Sequence, residues 1–117
     1  MSRYIVLIPD NEAAWEASTE EDKQRMYALH QKFSDLLEER GHKMTGGAEL
    51  AHSRTAKTLR TSADGTTTVT DGPYAEAAEQ LTGFYLVDTD DPEGLLECCK
   101  VLAEGESVIE IRAYANG

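Results

Sequence analysis

The chain lacks what several large classes of protein need. Its two cysteines, Cys98 and Cys99, are adjacent, a spacing that rarely allows a disulfide, and the chain has no third cysteine. No apolar run approaches the roughly 20 residues of a membrane helix. There are 11 basic residues against 22 acidic ones, and a formal charge of −11 repels phosphate backbones. We therefore expect no disulfide, no membrane span and no nucleic-acid partner.

Motifs that hold cofactors or activate nucleophiles are also missing. There is no Gly-rich phosphate loop and no Gly-x-Ser-x-Gly turn. The histidines His30, His42 and His52 have no metal-ligand spacing such as His-x-x-x-His. We expect no metal and no other cofactor, and we expect His42 and His52 to be exposed. The apolar run at residues 4–8 is too short for a signal-peptide core, which favours a cytoplasmic protein.

Strand and helix patterns alternate along the chain. The apolar run at residues 3–9 predicts a central strand, and a capping pattern at Ser18 and Thr19 predicts a helix that ends at Gly41. Thr-rich segments on both sides of residues 64–65, Asp-Gly, predict a hairpin. The other predicted elements are strands at 42–50, 83–88 and 107–114, a helix at 90–105 and a connection at 10–17.

This order of elements is typical of an α+β domain. Strand, helix, strand, hairpin, strand, helix and strand predict a ferredoxin-like (split βαβ) fold with an inserted β-hairpin, in a single domain of residues 1–117. A sheet with both helices on one face leaves its other face bare, and a second chain usually covers such a face. We therefore expect a homodimer.

The most specific pattern lies just before the strand at 83–88. Residues 71–76 read Asp-Gly-Pro-Tyr-Ala-Glu, which is a strong turn signal, and residues 78–80 read Ala-Glu-Gln. This run resembles the signature of the DGPF subgroup of the YCII-related family, which reads Asp-Gly-Pro-Phe-(Ala/Thr)-Glu and then Lys-Glu-Gln. Tyr74 stands in place of the Phe and Ala78 in place of the Lys. The resemblance extends over residues 4–112.

The resemblance implies both an assembly and a site. YCII-related proteins are dimeric α+β barrels, in which two ferredoxin-like sheets close on one another, and such barrels also host lactone isomerases and monooxygenases that need no metal. In enzyme-like members a helix histidine precedes the helix-ending glycine by eleven positions, as His30 precedes Gly41. An aspartate in the region of Asp71 is proposed to pair with that histidine. Genes of the DGPF subgroup often lie beside those of extracytoplasmic-function sigma factors, which implies a regulatory partner.

His30 and Asp71 are the candidate catalytic residues. An imidazole titrates near neutral pH, and a neighbouring carboxylate orients its ring and raises its basicity. His30 also lies at the edge of the apolar stripe of its helix, toward the predicted sheet. The alternatives are a packed histidine bonded to a backbone carbonyl, and a turn aspartate that caps its own loop.

Tyr74, Glu76, Glu79 and Gln80 are candidate ligand contacts. A short helical turn after Pro73 would place Glu76 and Gln80 on one face. The alternatives are an aromatic core anchor at Tyr74 and acidic residues favoured by the dipole of a helix start.

Three functions remain open on these observations. The first is a cofactor-independent acid–base enzyme of isomerase or lyase type that acts on a small organic molecule. The second is a small-molecule binding or sensing domain that uses the same cleft without catalysis. The third is a regulatory partner protein. The enzyme hypothesis predicts that His30 lies within hydrogen-bond reach of Asp71 in an open pocket.

Overall fold

Six strands and three helices follow one another along residues 1–116, the part of the chain that the computed structural model describes. In chain order they are β1 (Ser2–Asn11), α1 (Glu12–Ala17), α2 (Glu20–Glu39), β2 (Lys43–Glu49), β3 (Lys57–Thr61), β4 (Thr67–Asp71), β5 (Glu79–Thr89), α3 (Pro92–Leu102) and β6 (Glu110–Ala113). A 3-10 turn, Ser53–Thr55, precedes β3. The predicted domain end at residue 117 lies outside the described residues.

Four of the strands form one antiparallel sheet in the order β2-β5-β1-β6. The central pair, β1 and β5, runs from Ser2 opposite Thr89 to Asn11 opposite Glu79, and its register shifts by one residue between Ile8 and Pro9. Strands β3 and β4 pair with each other in a separate two-stranded ribbon. This mixed α+β arrangement is consistent with the ferredoxin-like fold that the sequence predicts.

The ends of α2 follow from its sequence. The Thr19 side chain accepts a hydrogen bond from the Asp22 backbone N–H, and the Asp22 carboxylate accepts one from Thr19, so two otherwise unpaired donors are satisfied. Beyond Arg40, Gly41 has φ +78°, a left-handed conformation that ends many helices. The predicted helix is therefore confirmed to within two residues at each end.

The core lies between one face of the sheet and the helices α2 and α3. Val6 and Ile8 of β1 and Val87 of β5 supply the sheet side. The helices supply Phe33, Leu37, Leu95, Cys98, Cys99, Val101 and Leu102. Both cysteines are buried free thiols, and burial raises the pKa of the Cys99 thiol to about 12. They therefore act as small hydrophobic side chains in the core.

The opposite face of the sheet carries the alternate residues of the same strands. Side chains alternate between faces along a strand, and residues directly opposite in neighbouring strands share a face. Ile5 pairs with Leu86 and Leu7 pairs with Phe84, while Val6, Ile8 and Val87 face the helices. We call Ile5, Leu7, Phe84 and Leu86 the open-face patch.

Two predictions of local structure were wrong, one directly after β1 and one at the start of β5. Residues 10–17 were predicted to be a connection, but Asn11 caps a short helix, α1, by accepting a hydrogen bond from the Ala14 N–H. A helical turn was predicted to bring Glu76 and Gln80 onto one face, but β5 begins at Glu79 because residues 79–81 pair with the end of β1. The pairing of residues 79–81 with β1 therefore prevails over the helical turn that was expected after Pro73.

The predicted exposure of two histidines was also wrong. His42 follows the end of α2 and is 4% exposed, with Nδ1 2.7 Å from the Thr89 hydroxyl. His52 is half-buried, with Nε2 2.9 Å from the Glu16 carboxylate. The polar partner of each ring lies in a segment that is distant in the sequence. The residues next to each histidine therefore did not indicate that it would be buried.

The β3–β4 ribbon stands apart from the sheet. Leu59 pairs with Val69 across it, yet these side chains are 65% and 62% exposed. At its tip, hydrogen bonds from Ser62 and Thr66 lower the pKa of the Asp64 carboxyl to about 2. No helix within residues 1–116 is long and apolar enough to cross a membrane.

Candidate functional site

A cavity of about 510 Å³ lies at the end of the sheet where β1 gives way to α1. Its wall is made by the first half of α2, the strand β5, and the segment from Gly47 to Arg54 that leads out of β2. Its ionisable lining side chains are Asp10, Glu12, Glu16, Tyr27, His30, Glu49, His52, Arg54, Tyr85 and Glu106. The volume falls within the range of small-molecule sites.

His30 lies in the wall of this cavity and contacts two polar side chains. Its Nδ1 is 2.6 Å from the Tyr85 hydroxyl, and its Nε2 is 3.2 Å from Oε1 of Glu106. Helix α2 supplies the histidine, β5 the tyrosine, and the segment after α3 the glutamate. Three elements thus build one hydrogen-bonded chain, Tyr85–His30–Glu106.

The chemistry of the partners assigns the protons of this chain. An ionised carboxylate has only acceptor sites, so Nε2 of His30 carries the hydrogen that is donated to Glu106. Nδ1 is then unprotonated and accepts the hydrogen bond donated by the Tyr85 hydroxyl. Glu106 thereby holds the imidazole in the tautomer that can take a proton from Tyr85.

Core packing fixes the position of Tyr85. Its ring lies 5.1 Å from the ring of Phe33, which is fully buried, and 5.8 Å from the imidazole of His30. Burial raises the pKa of the Tyr85 hydroxyl, and the carboxylates of Glu106 and Glu49 raise it further. The phenol therefore stays neutral at physiological pH and keeps the proton that it donates to His30.

Glu106 follows the turn that ends α3. The backbone N–H groups of Gly105 and Glu106 both donate to the Leu102 carbonyl, which directs the Glu106 side chain inward, where it is only 6% exposed. Its second carboxylate oxygen, Oε2, is buried and has no hydrogen-bond partner among residues 1–116. Asp10 lies beside it: burial raises the pKa of the Asp10 carboxyl, and the nearby Glu106 carboxylate adds to the increase.

Two aromatic side chains, Trp15 and Tyr27, also line the cavity. The rings of Trp15 and Tyr27 meet edge to face at 5.8 Å between centroids, and the Tyr27 hydroxyl donates to Glu49 at 3.1 Å. Burial and this contact with Glu49 raise the pKa of the Tyr27 hydroxyl. The cavity thus combines apolar walls with a few convergent polar groups.

A network of charged groups joins α1 to the 3-10 turn at the rim. Arg54 donates to Glu16 at 3.2 Å, and Glu12 accepts from the Ser53 N–H at 2.7 Å and from the Ser53 hydroxyl. Burial acts to raise the pKa of the Glu12 carboxyl, but the bonds from Ser53 outweigh it and leave that pKa lowered. These contacts fix the position of α1 relative to the 3-10 turn at the rim of the cavity.

Of the residues predicted from the sequence for the site, His30 alone lines the cavity among the described residues. The structure does not bring Asp71 to His30: Asp71 ends β4 in the exposed ribbon and forms an ion pair with Lys57. Tyr74 is 81% exposed, and its carbonyl accepts from Arg60 at 2.9 Å. Antiparallel pairing of β3 with β4 carries this segment away from the cavity.

The remaining predicted ligand contacts lie in or before the start of β5. Glu76 and Glu79 are exposed, and Gln80 donates to the Ala75 carbonyl at 2.9 Å. None of the three is part of the cavity wall.

Sequence reasoning missed Glu106 and Asp10 as members of the site, and it did not single out Tyr85 from other residues that could reach a cleft. Tyr85 lies two residues before the buried Val87 in β5, and residues two apart in a strand face the same side of the sheet. The direction of Tyr85 toward the helices was therefore readable from strand periodicity. Glu106 directly follows Gly105, and an acidic residue after a helix-ending glycine is by itself an ordinary surface feature. Its burial depends on the tertiary contact with α2, for which the local sequence carries no signal.

Within residues 1–116, no three His, Cys, Asp or Glu side chains are grouped so as to hold a metal ion.

Comparison with known proteins identifies the family. The model of the YCII-related domain matches residues 2–115, nearly the whole chain. This chain belongs to the YCII-related family. A protein of Rhizobium meliloti (strain 1021), described as uncharacterized, is 36% identical over 104 residues, which cover 86% of this chain and 79% of that protein. The YCII-related domain thus contains every residue that lines the cavity.

Proposed function

We propose that this YCII-related protein is a cofactor-independent acid–base enzyme that acts on a small organic molecule in the cavity of about 510 Å³. The observation that carries the proposal is the hydrogen-bonded chain Tyr85–His30–Glu106 in the wall of that cavity. Glu106 takes the role that the sequence suggested for Asp71, since it orients the imidazole and stabilises the imidazolium. Ligand contact by Tyr74, Glu76, Glu79 and Gln80 stays a prediction.

The chain of hydrogen bonds defines one proton-transfer step. A substrate proton moves to the Tyr85 oxygen while the phenolic proton moves to Nδ1 of His30. The imidazole then carries a proton on each nitrogen, and Glu106 balances its charge. Reversal of the step returns a proton to the substrate, and return to a different atom is an isomerisation. General acid–base catalysis of this kind contributes about 10²–10⁴-fold to a rate.

Proton exchange with solvent tests this step without knowledge of the natural substrate. Enolisable ketones and unsaturated lactones would be incubated with the protein in D2O, and loss of their exchangeable C–H signals followed by NMR. We expect exchange above the buffer rate, reduced about 100-fold or more in Tyr85→Phe and His30→Gln. Tyr27→Phe, which changes another tyrosine of the same wall, is the matched control and is expected to retain exchange.

A binding domain without catalysis is the second candidate, and one observation favours it. Both ring nitrogens of His30 are engaged within the chain, by Tyr85 and by Glu106. A histidine fixed in this way also serves to hold the wall of a passive pocket. Compounds that bind without any gain in exchange would favour this function. A link to extracytoplasmic-function sigma factors stays a prediction of the resemblance.

We further propose that the protein acts as a homodimer in the form of a dimeric α+β barrel. The support is the open-face patch: its four large apolar side chains lie on the face of the sheet away from α2 and α3. Such a patch on one face is typical of protein interfaces. We also propose membership of the DGPF subgroup, with the ribbon as its inserted hairpin. The support is the Asp-Gly-Pro turn after β4, where Gly72 has φ +104°.

A further inference from the structure

The unsatisfied oxygen of Glu106 points to a missing hydrogen-bond donor. A buried carboxylate oxygen without a partner is costly, and native proteins rarely leave one unpaired. Oε1 of Glu106 contacts His30, whereas Oε2 is buried without a partner among residues 1–116. Glu106 lines the cavity and Asp10 lies beside it, so the donor for Oε2 comes either from a ligand or from a protonated Asp10.

The charges of the cavity wall favour a cation in that position. Asp10 and Glu49 line the cavity with Glu106, and neither forms an ion pair with a Lys or Arg side chain within residues 1–116. The guanidinium of Arg54 is already held by Glu16 at the rim. An anion entering this space would meet uncompensated carboxylates in a partly desolvated site, where repulsion is strong.

We infer that the pocket takes a protonated organic amine, whose ammonium group donates hydrogen bonds to the carboxylates of Glu106 and Asp10. Glu49 adds negative charge, and the edge-to-face pair of Trp15 and Tyr27 offers an apolar and aromatic wall for the organic part. We rest this inference on the proposed function, because it names the substrate class of the same pocket.

A protonated Asp10 is the alternative to a bound amine as the hydrogen-bond donor for Glu106. Burial and the neighbouring Glu106 raise the pKa of the Asp10 carboxyl, so a protonated Asp10 would itself supply the donor for Oε2. If Asp10 and Glu106 share this proton, the pocket would bind an amine no more tightly than a neutral compound of similar shape. An ammonium group in the pocket stabilises both carboxylates in their charged form, so the two arrangements exclude each other.

Three compounds of similar shape and different charge provide the test: benzylammonium, benzyl alcohol and benzoate. Trp15 is the only tryptophan of the chain and lines the cavity, so its fluorescence reports binding to the full-length protein. We expect benzylammonium to bind about tenfold more tightly than benzyl alcohol, because charge-assisted hydrogen bonds are the stronger ones, and benzoate to bind most weakly. Equal affinities, or tighter binding of benzoate, would overturn the inference.

Substitutions locate the binding site of the cation. Asp10→Asn and Glu49→Gln should each weaken benzylammonium binding, Asp10→Asn by about tenfold, and leave benzyl alcohol unchanged. Glu39→Gln is the matched control, since Glu39 is exposed at the far end of α2 and should have no effect. An effect of Glu39→Gln as large as that of Asp10→Asn would mean that only the net charge of the protein matters, and would also overturn the inference.

Proton exchange and benzylammonium binding, both measured on the wild-type protein, test the proposed function and this inference separately. Proton exchange without preference for benzylammonium would leave the enzyme standing and overturn the amine assignment. Preference for benzylammonium without proton exchange would support the amine site in a protein that only binds.

Discussion

Nε2 of His30 lies 3.2 Å from Oε1 of Glu106, although 76 residues separate them in the chain. The contact joins the middle of α2 to the turn that ends α3, so the packing of these two helices also sets the geometry of the site. A mutation that alters the packing of α2 against α3 should therefore also shift the imidazole of His30 relative to Glu106.

The first prediction concerns the tautomer of His30. NMR of the ring nitrogens should show Nε2–H as the main neutral form in the wild type, because Glu106 can only accept. Glu106→Leu removes the acceptor and should give a mixture of tautomers. Tyr85→Phe, the matched control, should keep Nε2–H because Glu106 is still present. A wild-type ring with its hydrogen on Nδ1 would contradict the assigned direction of proton transfer.

The second prediction concerns the pH dependence of stability. Burial raises the folded-state pKa of the Asp10 carboxyl above its ordinary value of 3.8, so the folded protein holds a proton that the unfolded chain has released. The free energy of unfolding contributed by Asp10 should therefore fall as pH rises from 3.8 through the folded-state pKa.

Asp10→Asn removes this decline and keeps an oxygen that can accept from the Asn11 N–H. Because Asp10 is only partly buried, we expect the variant to be slightly more stable than the wild type at pH 7 and equal to it near pH 3. Urea unfolding at both pH values measures the difference. A stability difference that does not change with pH would contradict the raised pKa.

The sequence predicted more of the fold than of the candidate site. Local signals in the sequence specify α2, with its capping box at Thr19 and Asp22 and the left-handed Gly41, and the same holds for the strand pattern of β1. The predicted pairing of His30 with Asp71 failed within the chain, because the antiparallel ribbon turns Asp71 toward Lys57. Glu106 could not be predicted, since its burial follows from tertiary packing rather than from any motif.

The third prediction compares a core side chain with an exposed aromatic one. Phe33 is fully buried and packs on Tyr85, so Phe33→Ala should lower the free energy of unfolding by about 3–5 kcal/mol. Tyr74 is 81% exposed, and Tyr74→Ala should change it by less than about 0.5 kcal/mol. Urea unfolding measures both variants. A large loss for Tyr74→Ala would mean that another chain covers the loop after β4.

The fourth prediction tests the open-face patch as the dimer interface. Leu86 faces away from the helices and pairs with Ile5 across the centre of the sheet. A lysine there would bring an unpaired charge into an apolar contact, which costs several kcal/mol and should prevent association. Sedimentation should give about twice the chain mass of 12.9 kDa for the wild type and a single chain mass for Leu86→Lys.

The matched control is Leu96→Lys, the same change on the outer side of α3, where the leucine is partly exposed. It should leave the dimer intact. Circular dichroism checks that both variants keep their secondary structure, so that loss of association is not loss of folding. A wild type that sediments as one chain, or a Leu86→Lys variant that still dimerises, would contradict the interface. In the second case the exposed Leu59 and Val69 of the ribbon would be the next apolar surface to test.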